Sequence, residues 1–266
     1  MDAWLSTIIL GIVEGITEFL PVSSTGHLIL TGALLGHSGD KAASYDIIIQ
    51  LGAILSVVVI YRQRFYSLVV PQPRQRFSGV RGLTLLALTS APAAIVGLLG
   101  RSAIKAHLFA PLPVALALAA GSVLILIVES KRSARDKFHD LDDISPALAL
   151  GIGLFQCLSL WPGFSRSAAT ILGAMILGAR RKLAAEYSFI AAVPLMLAAT
   201  GYEMFKNWAE FSADDLQFLA IGFVTAFFSA WLAVRWFIGL VSRMTLRPFA
   251  VYRLLLAAAV FVFWPS

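Results

Sequence analysis

The chain has 266 residues, 59% of them hydrophobic and only 14% charged, with a mean hydropathy of +0.82. A water-soluble domain cannot hide that much apolar surface, so the solvent this sequence is built for is lipid. The net charge of +6 lies in loops rather than on a groove-tracking face, which excludes nucleic acid as a partner, and the single Cys157 excludes a disulfide framework or a thiolate metal site.

Apolar runs recur at 3–20, 45–61, 82–100, 108–128, 145–161, 183–202, 215–238 and 248–265. Most reach the ~17–25 residues that a helix needs to cross the hydrocarbon. Asp2 precedes the first run with no cationic region, so a cleaved signal peptide is not expected. Two further helices, 26–36 and 167–179, are too short to cross and follow polar breaks, which reads as re-entrance: the chain enters, breaks and turns back. Backbone of that kind is tolerated at depth only where protein or water surrounds it.

Sliding the chain by 142 residues lays EGIT (from Glu14) over QCLS (from Gln156), VSSTG (from Val22) over FSRSA (from Phe164), and YDII (from Tyr45) over YSFI (from Tyr187). At a slightly smaller offset PVAL (from Pro113) matches PFAV (from Pro248). The order of these matches indicates an internal repeat. The expected architecture is an all-α polytopic membrane protein in a single integral membrane domain, 1–266. It has two inverted-topology repeats, 1–130 and 145–266, each a re-entrant helix pair plus three transmembrane helices. Three crossings per half is an odd number, so the second half sits upside down relative to the first.

Charge agrees with this layout. With both termini outside, the inside loops carry Arg62, Arg64, Arg74, Arg76, Arg81, Lys131, Arg132, Arg135, Lys137, Arg180, Arg181, Lys182, Arg243 and Arg247, fourteen cations. The outside loops carry four, Lys41, Arg101, Lys105 and Lys206, and the 203–215 loop adds Glu203, Glu210, Asp214 and Asp215. That bias orients the chain but does not separate a re-entrant pair from two crossings, since both return it to the same side.

Inverted repeats with broken helices bring their breaks together and build the site there. The first break is EGITEFLPVSSTGH, 14–27; the second is QCLSLWPGFSRSAAT, 156–170. Glu14 and Glu18 share one helical face. They line a helix contact as protonated or hydrogen-bonded groups, or they hold a divalent cation, Mg²⁺ or Ca²⁺, that relieves their repulsion. Ser23, Ser24 and Thr25 open the next helix, where a hydroxyl caps free N–H groups or, at an anion seat with a base nearby, acts as a nucleophile. His27 is a candidate for that base, against the plainer reading of a structural histidine.

In the second break Arg166 stands between Ser165 and Ser167, with Thr170 one turn on. Its planar fork suits phosphate oxygens or a carboxylate, and an ion pair with Glu14 or Glu18 is the alternative; both hold if the pair precedes substrate. Acids with a divalent metal, together with an arginine, are the parts that phosphoryl chemistry uses. Asp46 and Glu186, near corresponding points of the two halves, are lesser candidates for the cavity wall. Arg235 and Arg253 are further lesser candidates, Tyr252 and Arg253 being read instead as snorkelling or structurally paired, and none of them as catalytic.

EGITEFLPVSSTGH and PGFSRSAAT (162–170) closely resemble the two signature motifs of the bacterial undecaprenyl pyrophosphate phosphatase family, the bacitracin-resistance type. The likeness extends to DIIIQLG from Asp46 and PFAVYR from Pro248. The resemblance implies an undecaprenyl-diphosphatase that removes the terminal phosphate of a polyprenyl diphosphate and regenerates the lipid carrier for cell-wall assembly. It implies a bacterial inner-membrane protein with a metal-dependent site opening toward the periplasm. Carried over by position, Glu14 and Glu18 match the acidic motif, Ser24 the proposed nucleophile, His27 the general acid/base and Arg166 the phosphate-binding arginine. Ser165, Ser167 and Thr170 match the remaining polar positions of the second motif; Ser23 and Thr25 flank the nucleophile as substrate contacts. A secondary transporter or flippase for a polyprenyl phosphate is the alternative, since inverted repeats with broken helices are transporter architecture. A purely structural scaffold would leave both charged breaks unexplained. A homodimer is compatible with the sequence.

Overall fold

The computed structural model describes residues 3–37, 39–108, 110–131, 136–207 and 212–263. Asp2, Arg132, Arg135 and Glu210, counted above for charge, lie outside them. Among the described residues the named elements are helices: α1 Ala3–Thr17, α2 Ser24–Leu35, α3 Asp40–Ile60, α4 Arg62–Val69, α5 Gly79–His107, α6 Pro111–Lys131, α7 Pro146–Gln156, α8 Arg166–Ile176, α9 Arg181–Asn207, α10 Ala213–Val241 and α11 Arg247–Phe263.

Four of these are long and apolar enough to cross a membrane: Gly79–Ile104, Leu112–Lys131, Arg181–Lys206 and Asp215–Val241. The pair Ser44–Ile60 and Arg62–Val69, bent by 82°, passes the same test together. Trp4–Thr17, Ser24–Leu35, Pro146–Leu160 and Arg166–Ile176 are shorter apolar helices. Pro92 and Pro194 sit inside α5 and α9, as membrane helices tolerate.

Three features depart from the sequence expectation. α11, read as the sixth crossing, is not among the described helices that are long and apolar enough to span. Residues 62–69, read as loop, form α4, an amphipathic turn-off from α3 that buries Ser67 and Leu68. The run 145–161 is a helix only to Gln156, after which Cys157–Leu160 tighten into a 3₁₀ turn leading into the second break.

The close packing of α1 on α10 follows from small residues. Apolar side chains gain nothing by leaving lipid for each other, so membrane helices pack closely where backbones can approach. Gly11 and Gly15, four apart on α1, face α10; a Cβ on Gly11 would lie 2.7 Å from the Gly222 carbonyl oxygen, and one on Gly15 2.5 Å from that of Ala226. The same α10 also packs on α3, while α7 packs on α5, α3 on α9, and α6 on α11.

The segments expected on the inner side meet one another. Arg64 pairs with Asp142 at 3.3 Å, whose other oxygen accepts the Phe77 N–H at 2.6 Å. Glu129 takes a two-pronged pair from Arg181, 2.9 and 2.7 Å, and the Leu246 N–H at 2.8 Å. Phe138 bridges to Ala179. Backbone N–H groups of His139 and Asp140 hold the Asp143 carboxyl below its usual range. At the other end of the bundle Arg101 donates to Tyr202, 2.9 Å.

Candidate active site

The two breaks are built alike. α2 begins after Ser23 and α8 after Ser165; each serine caps its helix, accepting from Gly26 N at 3.4 Å and from Ala168 N at 3.2 Å. Both adopt positive φ, 71° and 78°, the only non-glycine residues to do so among those described. A residue with a Cβ stays in that region only when its surroundings hold it there. In the second break Gly163, φ 96°, leaves no room for a side chain: a Cβ would lie 2.5 Å from the Val114 carbonyl oxygen.

Four contacts hold the breaks together. Ser167 Oγ donates to the Leu20 carbonyl at 2.7 Å. Arg166 Nη2 donates to Glu18 Oε1 at 2.9 Å. Arg253, fully buried, donates to the Pro21 carbonyl of the first break at 3.1 Å and to the Gly163 carbonyl of the second at 3.3 Å. Its remaining donors go to the Ala117 and Leu118 carbonyls of α6. Arg253 therefore does not snorkel: it staples α11 and α6 to both breaks.

Between the breaks lies a polar cavity of about 180 Å³, lined by Glu18, Ser23, Ser24 and Thr25 from the first break and by Ser159, Pro162, Gly163, Ser165 and Arg166 from the second, with Gln50 and Met196 completing it. Ser24 Oγ donates to Glu18 Oε2 at 2.5 Å, so one carboxylate is shared between a hydroxyl and a guanidinium. Arg166 also donates to the Ser188 carbonyl, 3.1 Å, and lies over the Phe19 ring, 5.5 Å to its centroid. Its Nε–H is buried without a partner among the described residues.

Glu14 lies one helical turn before Glu18, whose N–H donates to the Glu14 carbonyl at 2.9 Å. The Glu14 side chain is fully buried, and neither carboxyl oxygen has a hydrogen-bond partner among the described residues. A charge so placed has to be offset by a proton or a cation. Among the described residues no three His, Cys, Asp or Glu side chains gather into a cage. Glu14 is not on the cavity wall, and the fit to a metal rests on chemistry: oxygen donors from two carboxylates suit a hard divalent cation.

The sequence profile of the bacitracin resistance protein BacA family matches residues 7–259. The undecaprenyl-diphosphatase of Solidesulfovibrio magneticus is 65% identical over 266 residues, the whole of both chains. Proteins of the same name from Nitratidesulfovibrio vulgaris and Maridesulfovibrio salexigens are each 62% identical, over 99% of this chain and 99% and 100% of their own. The chain belongs to the BacA family.

In this BacA-family chain the residues expected from sequence divide into two groups. Glu18, Ser23, Ser24, Thr25, Ser165 and Arg166 stand on the cavity wall. Ser167 and Thr170 stand behind it: Thr170 Oγ1 donates to the Arg166 carbonyl at 2.9 Å and bonds Ser188 Oγ at 2.6 Å, fixing the turn that carries the arginine. His27 is also off the wall, with Nδ1 2.7 Å from the Ser23 carbonyl oxygen and Nε2 2.6 Å from Tyr252 Oη. Asp46 and Glu186 do not line the cavity; they sit beside His37 at 3.2 Å and Lys182 at 3.8 Å. Arg235 lies over Trp231, 4.7 Å to the ring centroid.

Sequence reasoning missed Gln50, Ser159 and Met196. Gln50 had a signal, a lone amide in an apolar run one turn after Asp46. Met196 had none.

Proposed function

We propose that the chain is an undecaprenyl-diphosphatase, hydrolysing undecaprenyl diphosphate to undecaprenyl phosphate and inorganic phosphate. One observation carries the reading: Ser24, Glu18 and Arg166, drawn from breaks far apart in sequence, are in hydrogen-bond contact on the wall of one cavity. At about 30 Å³ per water the space holds roughly six waters, the scale of a diphosphate and not of a polyprenyl tail, which stays in lipid. The names carried by the relatives favour a hydrolase over the flippase alternative.

The geometry supports this sequence of events. The terminal phosphate enters between the N-termini of α2 and α8, whose dipoles and first-turn N–H groups favour an anion. Arg166, with its Nε–H already unpartnered, turns its fork from Glu18 to the phosphate oxygens. Glu18 is then free to take the Ser24 proton while Oγ attacks the terminal phosphorus, and the bond from phosphorus to the bridging oxygen breaks. Undecaprenyl phosphate leaves with the proton that Glu18 took, and water hydrolyses the phosphoserine to release phosphate and restore Ser24. Glu14 and Glu18 would hold a divalent cation, Mg²⁺ or Ca²⁺, which when bound neutralises charge on the diphosphate.

The same reading places the protein in the bacterial inner membrane with the cavity opening toward the periplasm, supported by the excess of cations in the loops expected inside and by contacts among the described parts of those loops. It also takes the fold as two inverted repeats with re-entrant pairs α1–α2 and α7–α8. Reciprocal packing supports this: α1 lies on α10 as α7 lies on α5, and α2 touches α11 as α8 touches α6.

The test is phosphate release from undecaprenyl diphosphate by the purified protein. Ser24→Ala is expected to lower turnover by about 10³-fold or more, since removing one member of a nucleophile–base unit costs about as much as removing the unit. A Ser24→Ala protein with wild-type turnover would exclude the serine mechanism.

A further inference from the structure

The hydroxyl proposed to attack and the imidazole nearest to it in sequence do not face each other. Ser24 donates to Glu18, whereas His27 is absent from the cavity wall and spends both ring nitrogens elsewhere. A carbonyl oxygen can only accept, so Nδ1, 2.7 Å from the Ser23 carbonyl, carries the ring hydrogen. In the neutral ring Nε2 is then an acceptor, and the Tyr252 hydroxyl 2.6 Å away donates to it. The two rings stack with centroids 5.5 Å apart and planes 12° from parallel. The carbonyl that His27 holds belongs to the Ser23–Ser24 peptide, and Ser23 is the strained cap at φ 71°. Rotation of that peptide plane sets where Ser24 points.

We infer that Tyr252 is a positioning residue of the phosphatase: it locks His27, whose Nδ1–H pins the Ser23 carbonyl and so aims Ser24 Oγ into the cavity, leaving the proton to Glu18. The inference rests on the phosphatase reading above. It gives α11 two tasks at adjacent residues, Arg253 stapling the breaks and Tyr252 aiming the hydroxyl.

Two measurements test it. The first is nitrogen NMR of histidine-labelled protein in lipid, with His27 assigned by loss of its signals in His27→Asn. A protonated Nδ1 and an unprotonated Nε2 that shifts in Tyr252→Phe are expected; a neutral ring protonated at Nε2 overturns the lock. The second is phosphate release. Tyr252 is 45% exposed, so Tyr252→Phe keeps the ring and the fold. It is expected to lower kcat about three- to tenfold with KM within about twofold, as for an interaction made in the transition state.

The amide of His27→Asn can still donate to the Ser23 carbonyl but cannot relay a proton. It is expected to retain about tenfold or more turnover over His27→Ala, whereas general acid–base catalysis by the imidazole would silence both alike. Equal loss in the two variants overturns the inference. A wild-type protein that releases no phosphate sinks the phosphatase reading instead, and the tautomer then decides the lock by itself.

Discussion

Separating Arg166 from Glu18 tests the central contact of the site. The two charges lie 2.9 Å apart with side chains 12% and 8% exposed. At an effective dielectric constant of about 20, Coulomb attraction at that distance is roughly 6 kcal/mol, and the desolvation of both ions offsets much of it. Removing one partner leaves the other buried and unpaired, typically a loss of about 3–5 kcal/mol; water in the cavity reduces this to about 2–3 kcal/mol here. Arg166→Met also loses the hydrogen bond to the Ser188 carbonyl, about 1 kcal/mol, and that part does not depend on Glu18. In a double-mutant cycle with Glu18→Gln, the combined loss is therefore expected to fall about 2 kcal/mol short of the sum. The assay is unfolding in mixed micelles against rising SDS, followed by tryptophan fluorescence, with phosphate release measured alongside and abolished in all three variants. Additivity within about 0.5 kcal/mol, or full turnover by Arg166→Met, would refute the reasoning.

Other perturbations separate chemistry from support. A chelator is expected to abolish phosphate release, and Mg²⁺ or Ca²⁺ to restore it; Glu14→Gln, which keeps the shape of a fully buried side chain, should fold normally yet turn over about 10²–10³-fold more slowly. A folded Glu14→Gln protein with unchanged cation dependence would remove Glu14 from the site. In Gly121→Ala the new methyl meets the Arg253 guanidinium, so unfolding measurements should show a loss of about 2–4 kcal/mol that mostly vanishes when Arg253 is already Met. Gly15→Ala forces α1 away from α10 and is expected to destabilise by about 1–3 kcal/mol, whereas Ile16→Leu, on a half-exposed position, should leave the unfolding midpoint in place.

Much of this protein was written locally. A helix in lipid needs only a long enough apolar run, so α5, α6, α9 and α10 could be read from hydropathy, and the shortness of α2 and α8 was equally plain. Charge inside such runs is costly, so Glu14, Glu18 and Arg166 declared themselves, and the four-residue spacing of the acids was confirmed by a single backbone hydrogen bond. The 82° bend into α4 was not legible, because RQRFYSLV reads as a charged loop until Asp142, far along the chain, takes Arg64 and the Phe77 N–H.

Membership of the polar set was therefore a property of the sequence, whereas the partner of each side chain was a property of the fold. Ser24 lies three residues from His27 yet bonds Glu18, because the strained cap at Ser23 turns its neighbour toward the cavity while Tyr252, 225 positions from His27, takes the imidazole. Arg253 read as either a snorkelling or a structurally paired cation and became the staple of both breaks, since only packed helices supply four carbonyls to one buried guanidinium. Hydropathy and helical spacing act within a single helix and survive in any context; hydrogen-bond direction depends on which distant backbone arrives, and that is settled only when the helices have packed.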